Sequence, residues 1–354
     1  MRTPVGIVGF RGYSGAELIA YLNRHPLAEP VLLEHREAPE QEGKYRPGPL
    51  DRRVPRTLPF SPEAVKEAGL AAVFLATPAN VSMDLAGDLA GPLLEGGAKV
   101  IDLSGAFRLG TAESYERWYK EPHTQPGLLA EAVYALPEFC RSRVAGAGLI
   151  SNPGCYPTAA NLAIRPLVEA AAFDRSAGIV CDAKSGVSGA GRKPSLKTSF
   201  CEVTGNFSAY SILEHRHVPE VLMTSGLEES EFSFTAQLIP IHRGILETVY
   251  FRVPEPSGGA AIRSAGDLLD IYRSRYEKEP FVRLYAPGQV PDLQAVNHTN
   301  FCDIGFKFDP ATRRAVAVSA VDNLGKGAAG QAIQNMNLAL GFPETAGLLE
   351  PGEL

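Results

Sequence analysis

The stretch VGIVGFRGYSGAELIAYLNRHP, residues 5–26, decides the fold. It reads as a short apolar strand, a turn with glycines at every third position from Gly9 to Gly15, and a helix with Leu18 and Leu22 on its apolar face. Glycines let the backbone approach a pyrophosphate, and the N-terminus of the helix supplies N–H donors. The stretch therefore predicts the phosphate-binding βα unit of a dinucleotide-binding domain. Its GxxGxxG spacing differs from the GxGxxG fingerprint, so an ordinary turn is the alternative reading.

Two later stretches continue the alternation of strand and helix. LAAVFLATPANVSMDLAG (70–87) and GAKVIDLSGAFRLG (97–110) each read as a buried strand that ends in small and polar residues. This alternation predicts an α/β fold with a doubly wound, Rossmann-like parallel sheet. Ligands of such sheets bind beyond the carboxyl ends of the strands, here at residues 76–80 and 104–108.

The choice of cofactor depends on the end of the second strand, predicted at residues 31–34. This end should lie near the adenosine ribose, where a lone acidic residue such as Glu34 would indicate NAD. His35, Arg36 and Lys44 follow it, and a guanidinium suits the 2′-phosphate of NADP. The pattern therefore favours NADP(H), with solvated loop charges as the alternative.

A cysteine follows the next strand signal, in SNPGCYPTAANL at residues 151–162. Cys155 comes after Asn152, Pro153 and Gly154, and Pro157 suits the first turn of a helix. The partial positive charge at a helix N-terminus lowers the pKa of a cysteine and favours the nucleophilic thiolate. Cys155 is thus the predicted nucleophile, and an inert buried thiol is the alternative.

Thiol catalysis usually needs an acid or base nearby, and EHRHVPEV at 214–221 offers a pair of histidines. His215 and His217 share a face of an extended segment, and Glu220 could orient one imidazole. His242 and Arg243, in IPIHRGILETVY, are candidates for binding an anionic ligand. The residue pattern alone leaves open which histidine is the acid or base.

Two glycine-rich stretches complete the predicted site. DAKSGVSGAGRKPS (182–195) offers backbone N–H groups and hydroxyls to a ligand, although a flexible loop is the alternative. VDNLGKGAAGQAIQNMNLALGF (321–342) reads as a turn followed by a helix that could meet the nicotinamide end. The predicted cofactor-binding residues are Gly9, Arg11, Gly12, Tyr13, Ser14, Gly15, Arg36, Thr77, Pro78, Ser185, Gly186, Gly189 and Asn323.

Composition limits the classes of function. The 354 residues are 45% apolar, and 34 basic residues are spread among 40 acidic ones, so the basic stripe of a nucleic-acid binder is missing. Five scattered cysteines without metal-binding spacing indicate reduced thiols and no metal site. A start without a signal-peptide pattern predicts the cytoplasm, and no apolar run long enough to cross a membrane occurs. The expected partner is a small-molecule substrate.

The chain is long enough for two domains. We expect an NADP-binding domain at 1–154, completed by a C-terminal helix at 321–354. Residues 155–320 would form an α+β catalytic and oligomerisation domain.

Ten ordered motifs give the chain its resemblance to N-acetyl-gamma-glutamyl-phosphate reductases, the NADPH-dependent enzymes of arginine biosynthesis. They are GFRGYSGAEL (9–18), FLATPANVSM (74–83), VIDLSGAFRL (100–109), AVYALPE (132–138), SNPGCYPTAANL (151–162), DAKSGVSGAGR (182–192), HRHVPE (215–220), HRGILETVY (242–250), TNFCDIG (299–305) and DNLGKGAAGQAIQNMNL (322–338). The resemblance implies that Cys155 is the nucleophile, that His217 is the acid or base, and that Arg108 binds the substrate phosphate. It also implies a homo-oligomer, a dimer or tetramer. The full set of predicted substrate-binding residues is Arg108, Asn152, Glu220, His242 and Arg243.

Two positions depart from the family pattern. The family commonly has GASGYTG where this chain has GFRGYSG, which places Arg11 beside the phosphates. It commonly has DFRL where this chain has Ala106 before Phe107 and Arg108. The first departure keeps the glycines, and the second removes a carboxylate next to the predicted phosphate ligand.

The reaction that the resemblance implies is the reduction of an acyl phosphate to an aldehyde through a cysteine thioester. The nearest alternative is the lysine-pathway reductase of carrier-protein-bound aminoadipyl phosphate, which would share the scaffold and the thiol chemistry. Aspartate-semialdehyde dehydrogenase shares the chemistry, but SNPGCYPT and HRHVPE differ from its motifs. A cofactor-binding sensor without catalysis is the alternative from a different class, and it predicts no turnover.

Overall fold

The computed structural model describes residues 2–35, 55–255 and 262–349, with the backbone alone at 90–95. In chain order its strands are β1 (Thr3–Val8), β2 (Ala28–Glu34), β3 (Arg56–Pro59), β4 (Ala72–Leu75), β5 (Lys99–Asp102), β6 (Val133–Tyr134), β7 (Leu149–Ser151), β8 (Ile179–Gly186), β9 (Ser208–Tyr210), β10 (Phe232–Ile239), β11 (Ile245–Arg252), β12 (Val282–Leu284), β13 (Cys302–Asp309) and β14 (Arg314–Val321). Its helices are α1 (Tyr13–Arg24), α2 (Pro62–Glu67), α3 (Ala79–Glu95), α4 (Ala112–Tyr119), α5 (Pro126–Glu131), α6 (Pro137–Gly146), α7 (Cys155–Glu169), α8 (Phe200–Val203), α9 (Val218–Ser225), α10 (Ala265–Tyr276) and α11 (Gly330–Ala339).

The described residues form two compact units. The first contains residues 2–35, 55–110, 123–152 and 332–349, and the second contains 111–122, 153–255 and 262–331. Residues 321–331 lie in the second unit, because they continue directly from β14. The cofactor-binding and catalytic roles assigned to the two domains stay predictions.

The first unit is built on a seven-stranded sheet in the order β3-β2-β1-β4-β5-β7-β6, with every neighbouring pair parallel. The predicted doubly wound, Rossmann-like sheet is confirmed. Val5, Ile7 and Val8 of β1 are fully buried, as a strand in the middle of a parallel sheet requires. The order reverses beside β1, since β2 lies on one side and β4 on the other. The crevice beyond the ends of β1 and β4 is where such folds bind dinucleotides.

The glycine-rich turn after β1 is too tight for side chains. Gly9 has a positive φ of 78°, and a Cβ there would lie 2.3 Å from the carbonyl oxygen of Ala76. A Cβ on Gly15 would lie 2.5 Å from the carbonyl oxygen of Gly9. Because these contacts are impossible for real side chains, the turn brings bare backbone to the N-terminus of α1.

The second unit contains a mixed seven-stranded sheet in the order β12-β13-β14-β11-β8-β10-β9. The pairs β8/β10 and β12/β13 are parallel, and the others are antiparallel. Helix α7 packs against β11 and β14 and is tied to α10, where the Tyr276 hydroxyl donates to the Leu162 carbonyl at 2.7 Å. This unit is the predicted α+β domain.

The two faces of this second sheet differ in burial. Along β8, Cys181 and Ala183 point into the core and are fully buried, whereas Val180 on the other face is 45% exposed. Tyr250 of β11, opposite Val180 in the register, is also 45% exposed. One face therefore packs on α7, and the other presents apolar side chains at its surface.

Candidate active site

Cys155 is the first residue of α7, as the sequence predicts. The preceding Gly154 is the N-cap, with extended backbone angles and no side chain to satisfy the first amides. The thiol is half-buried, and it lies where the partial positive charge of the helix is greatest. This position favours the thiolate.

Glu220 connects the cysteine turn to α9. Its carboxylate is fully buried, and Oε2 accepts a hydrogen bond from the Gly154 amide at 2.8 Å. Oε1 of the same carboxylate lies 3.9 Å from Nε2 of His217. A single charged group therefore contacts both the turn that carries the thiol and the imidazole.

The predicted histidine pair lies directly before α9. The rings of His215 and His217 are 4.8 Å apart between centroids, and both are buried. Burial lowers the pKa of His215 to about 4, and the charge of Arg216 acts in the same direction. His215 is therefore neutral near pH 7, and its Nδ1 accepts a hydrogen bond from the His217 amide at 3.2 Å.

Two tyrosines at the site were not predicted. Tyr156 follows the cysteine, and its hydroxyl lies 3.1 Å from that of Tyr210. Its ring contacts those of His215 and His217 edge-on, with centroids 5.5 and 5.9 Å apart. Burial raises the pKa of Tyr210 to about 12, so this hydroxyl stays protonated at neutral pH. Tyr156 could have been noticed as a neighbour of Cys155, but nothing local in the sequence marks Tyr210.

Gly327 packs directly against the nucleophile. It lies in a π-helical turn, Gly325–Ala329, that leads into α11. A Cβ at this position would lie only 2.9 Å from Cβ of Cys155. The predicted glycine-rich turn therefore serves to let the backbone approach the start of α7.

A second polar group in this unit surrounds Arg243. The guanidinium is buried, and its Nε donates to Oδ1 of Asp322 at 3.0 Å, while Nη1 lies 3.1 Å from Nδ1 of His298. Asn323 accepts from the Gly244 amide at 2.7 Å and donates to Ser188 at 2.9 Å. His242, predicted to help bind an anionic ligand, is exposed.

The glycine- and serine-rich stretch lies beside this group. A Cβ on Gly186 would lie 2.8 Å from the Arg243 amide, and one on Gly189 would lie 3.0 Å from Oγ of Ser185. The structure thus brings Ser185, Gly186 and Gly189 close to Asn323 and Arg243.

Arg108 and Asn152 meet in the first unit. Nε of the buried Arg108 donates to the Asn152 carbonyl at 2.9 Å, and Nη2 donates to the Leu103 carbonyl at 3.0 Å. The side chain of Asn152 accepts from Asn335 of α11 at 3.0 Å. Ala106 is fully buried, so the carboxylate that the family commonly has here would be buried at this position.

The remaining predicted cofactor residues lie at the carboxyl ends of β1 and β4. Tyr13 and Ser14 open α1, whose N-cap is Gly12. Thr77 and Pro78 follow β4, and the Thr77 hydroxyl lies 2.8 Å from that of Ser82. Arg11 forms a bidentate ion pair with Glu34. Arg36 and Lys44 lie outside the described residues.

Two family models cover the chain. The model described as "Semialdehyde dehydrogenase, NAD binding domain" matches residues 4–147, and "Semialdehyde dehydrogenase, dimerisation domain" matches residues 155–323. With the Rossmann-like sheet and the cysteine at the start of α7, they define an oxidoreductase of the semialdehyde dehydrogenase class with a nicotinamide dinucleotide cofactor.

Curated relatives narrow this class. The N-acetyl-gamma-glutamyl-phosphate reductase of Symbiobacterium thermophilum is 45% identical, over 99% of both chains. Those of Geobacillus thermodenitrificans and Methanopyrus kandleri are 43% and 44% identical, over 97% and 98% of both chains. The chain belongs to the N-acetyl-gamma-glutamyl-phosphate reductase family.

Solved structures share the fold at lower identity. Aspartate semialdehyde dehydrogenase II from Vibrio cholerae has a TM-score of 0.68 at 18% identity, over 96% of this chain and 99% of that one. Aspartate semialdehyde dehydrogenase with NADP from Candida albicans has a TM-score of 0.65 at 17% identity, over 96% and 98%. At this identity the likeness concerns the fold alone.

Two features of the described residues bear on other functions. None of their helices is long and apolar enough to cross a membrane. Within the same ranges, we find no cluster of three or more His, Cys, Asp or Glu side chains that could hold a metal ion.

Proposed function

We propose that the chain reduces N-acetyl-gamma-glutamyl phosphate to N-acetylglutamate 5-semialdehyde, with NADPH as reductant and release of phosphate. The observation that carries this proposal is the buried Glu220 carboxylate, which contacts the Gly154 amide at 2.8 Å and lies 3.9 Å from His217. This arrangement fixes a thiol at a helix N-terminus and orients a histidine in the same unit. The names of the curated relatives supply the substrate.

Cys155 acts as the nucleophile. Its thiolate attacks the acyl carbon, the C–O bond to the phosphate breaks, and a thioester remains on the sulfur. The helix N-terminus stabilises the thiolate before the attack and when the thioester is cleaved. Arg108 is the proposed ligand of the substrate phosphate, because a planar guanidinium binds phosphate oxygens in pairs.

His217 is the proposed general acid and base of the second half-reaction, the reduction of the thioester. When bound, NADPH supplies the hydride that reduces the thioester carbonyl. His217 gives a proton to the carbonyl oxygen, which yields a thiohemiacetal, and takes it back as the C–S bond breaks and the aldehyde leaves. His215 cannot give this proton near pH 7, because burial lowers its pKa to about 4. Its Nδ1 instead accepts a hydrogen bond from the backbone amide of His217.

The residues after β1 suit a dinucleotide. A Cβ on Gly9 or Gly15 would collide with backbone atoms at 2.3 or 2.5 Å, so the turn presents bare amides at the N-terminus of α1. Such amides and the helix dipole bind a pyrophosphate. Gly12, Tyr13 and Ser14 would line this pyrophosphate site, and Thr77 and Pro78 would border it at the end of β4. Ser185, Gly186, Gly189 and Asn323 are proposed for the nicotinamide end.

We also propose that the chain forms a homo-oligomer through the second unit. One face of its sheet carries the exposed Val180 and Tyr250, whereas the other packs on α7. The family model that covers this unit is described as a dimerisation domain. A second copy that covers this face would bury its apolar side chains.

The reverse reaction tests the proposed activity. Purified protein is mixed with NADP, phosphate, and either N-acetylglutamate 5-semialdehyde or aspartate semialdehyde, and NADPH formation is recorded. We expect turnover with the first aldehyde and little with the second, and none with Cys155→Ser. Preference for aspartate semialdehyde would overturn the substrate. Turnover only with the semialdehyde of carrier-bound aminoadipate would favour the lysine-pathway alternative, and no turnover with any aldehyde would favour a sensor.

A further inference from the structure

The ion pair between Arg11 and Glu34 lies at the position that distinguishes NAD from NADP in Rossmann folds. β1 and β2 are parallel neighbours with Val8 opposite Leu33, so the turn after β1 lies beside the end of β2. Glu34 is the last residue of β2. In NAD-binding domains an acidic residue here, about 20 residues after the glycine turn, binds the ribose hydroxyls.

In this chain the carboxylate is already engaged. Nη1 of Arg11 binds Oε1 of Glu34 and Nη2 binds Oε2, both at 2.5 Å. The guanidinium also lies over the ring of Phe10, 4.5 Å from its centroid. The two contacts hold the guanidinium at the place where an NAD-binding domain presents a carboxylate.

The Arg11–Glu34 ion pair is too exposed to contribute much to the stability of the fold. The Arg11 side chain is 34% exposed and that of Glu34 is 24% exposed. Ion pairs in contact with water contribute little to folding. A guanidinium carries five N–H donors in a planar fork, so it can bind a carboxylate and a phosphate oxygen at the same time.

We propose that Arg11 selects NADP over NAD by binding the 2′-phosphate, and that Glu34 is the residue that positions its guanidinium. This inference rests on the proposed function, which requires NADPH. It differs from the expectation that Arg36 binds the 2′-phosphate. It also gives a purpose to the arginine that this chain has inside the glycine turn, where the family pattern has a small residue.

The test compares the binding of NADP, NAD and 2′,5′-ADP to wild type, Arg11→Ala and Arg36→Ala by titration calorimetry. We expect Arg11→Ala to raise the dissociation constants of NADP and 2′,5′-ADP by about 10- to 100-fold, as for the loss of a hydrogen bond between charged groups. The constant for NAD should stay within about threefold, because NAD has a hydroxyl where NADP has the 2′-phosphate. Arg56→Ala is the matched control, since Arg56 is an exposed arginine at the start of β3, opposite Val31 and three residues before the end of β2 in the register.

Three outcomes would overturn the inference. If Arg11→Ala weakens the binding of NADP and NAD equally, Arg11 binds the pyrophosphate that both cofactors share. A loss of NADP binding in Arg36→Ala without one in Arg11→Ala would assign the 2′-phosphate to Arg36. An equal loss of NADP binding in Arg56→Ala would show that the effect of Arg11→Ala comes from the change in net charge.

Failure of the proposed function is distinguishable from failure of this inference. If the wild-type protein binds NAD as tightly as NADP, NADPH is not its specific reductant, and this result is obtained before any variant is measured. Arg11→Gln replaces Arg11→Ala if the alanine variant is unfolded by circular dichroism.

Discussion

The carboxylate of Glu220 accepts a hydrogen bond from the amide of Gly154 at 2.8 Å, across 66 residues of chain. Gly154 caps the helix that begins with the nucleophile, and the same carboxylate lies 3.9 Å from the imidazole of His217. The N-cap Gly154 has no side chain, and Glu220 accepts from the amide of this residue, which is the bond that the N3 glutamate makes in a capping box. The buried charge is thereby stabilised by the helix N-terminus that it caps.

Glu220→Gln tests the positioning role of this carboxylate. The amide oxygen can still accept from Gly154, so the melting temperature should change little. The negative charge beside His217 disappears, which favours the neutral imidazole. We expect kcat to fall by about 10-fold, because the protonated imidazole that donates the proton loses the opposite charge 3.9 Å away. The pH profile of kcat should differ from that of wild type, which a purely structural role of Glu220 would not cause.

Glu220→Ala is the companion variant. It leaves the Gly154 amide without its acceptor, and a buried unsatisfied donor costs about 1 to 3 kcal/mol of unfolding free energy. Chemical denaturation should show this loss in the alanine variant and not in the glutamine variant. A normal pH profile in both variants would show that Glu220 only caps the helix.

His215 should make the protein less stable in acid. Its pKa is about 4 in the folded chain because of burial, against 6.5 when unfolded. The unfolded chain therefore binds more protons between these values, and stability present above pH 6.5 is lost as the pH falls towards 4. The full loss amounts to about 3 kcal/mol. Denaturant titrations at pH 7.5, 6 and 4.5 should show a smaller decrease for His215→Asn, and an identical decrease in both proteins would contradict the assignment.

The features that the sequence predicts best are those that depend on residues close together in the chain. The strand, turn and helix at 5–26 and the start of α7 at Cys155 follow from local patterns, and both are confirmed. Tyr210 was missed, because only the pairing of β9 with β10 brings it to Tyr156. The Arg11–Glu34 pair depends on the parallel register of β1 and β2, and the packing of Gly327 on Cys155 depends on contacts far apart in the chain. Periodicity does not specify such long-range pairings.

Gly327→Ala tests the contact behind the nucleophile. Its Cβ would lie 2.9 Å from Cβ of Cys155 and 3.2 Å from the Asp322 carbonyl oxygen. Overpacking of this kind costs about 1 to 3 kcal/mol, and it should shift α7 or the π-helical turn. We expect a lower melting temperature together with a lower kcat. Gly146→Ala in α6 is the control, because a Cβ there meets nothing within 4 Å. A Gly327→Ala variant as active and stable as the control would refute the packing argument.

Arg108→Lys tests the proposed phosphate ligand. Lysine keeps the charge but replaces the fork with a single ammonium, and it loses the paired contacts to the carbonyls of Asn152 and Leu103. The KM for phosphate in the reverse reaction should rise by about 10-fold, as for one hydrogen bond to a charged group. Arg243→Lys is the comparison, since Arg243 is equally buried and pairs with Asp322. Both variants lose buried hydrogen bonds and should melt at lower temperature, but only Arg108→Lys should raise the KM for phosphate. A raised KM for phosphate in Arg243→Lys alone would move the phosphate site to Arg243.

The rate at which Cys155 is alkylated shows whether helix electrostatics or solvent access determines its reactivity. Cys201 is exposed and Cys155 is half-buried, whereas Cys181 and Cys302 are buried, so access alone predicts that iodoacetamide modifies Cys201 first. If the N-terminus of α7 favours the thiolate, Cys155 reacts faster despite its burial, because alkylation requires the thiolate. The rate of alkylation of Cys155 should also reach half its maximum at a lower pH than that of Cys201.

Peptide mass spectrometry after short exposures to iodoacetamide measures both rates in one sample, and Cys201→Ser gives the rate at Cys155 without competition. Addition of the acyl phosphate without NADPH should protect Cys155 and leave an acyl adduct on it. Faster labelling of Cys201 at every pH, or an adduct on another cysteine, would remove Cys155 from the mechanism.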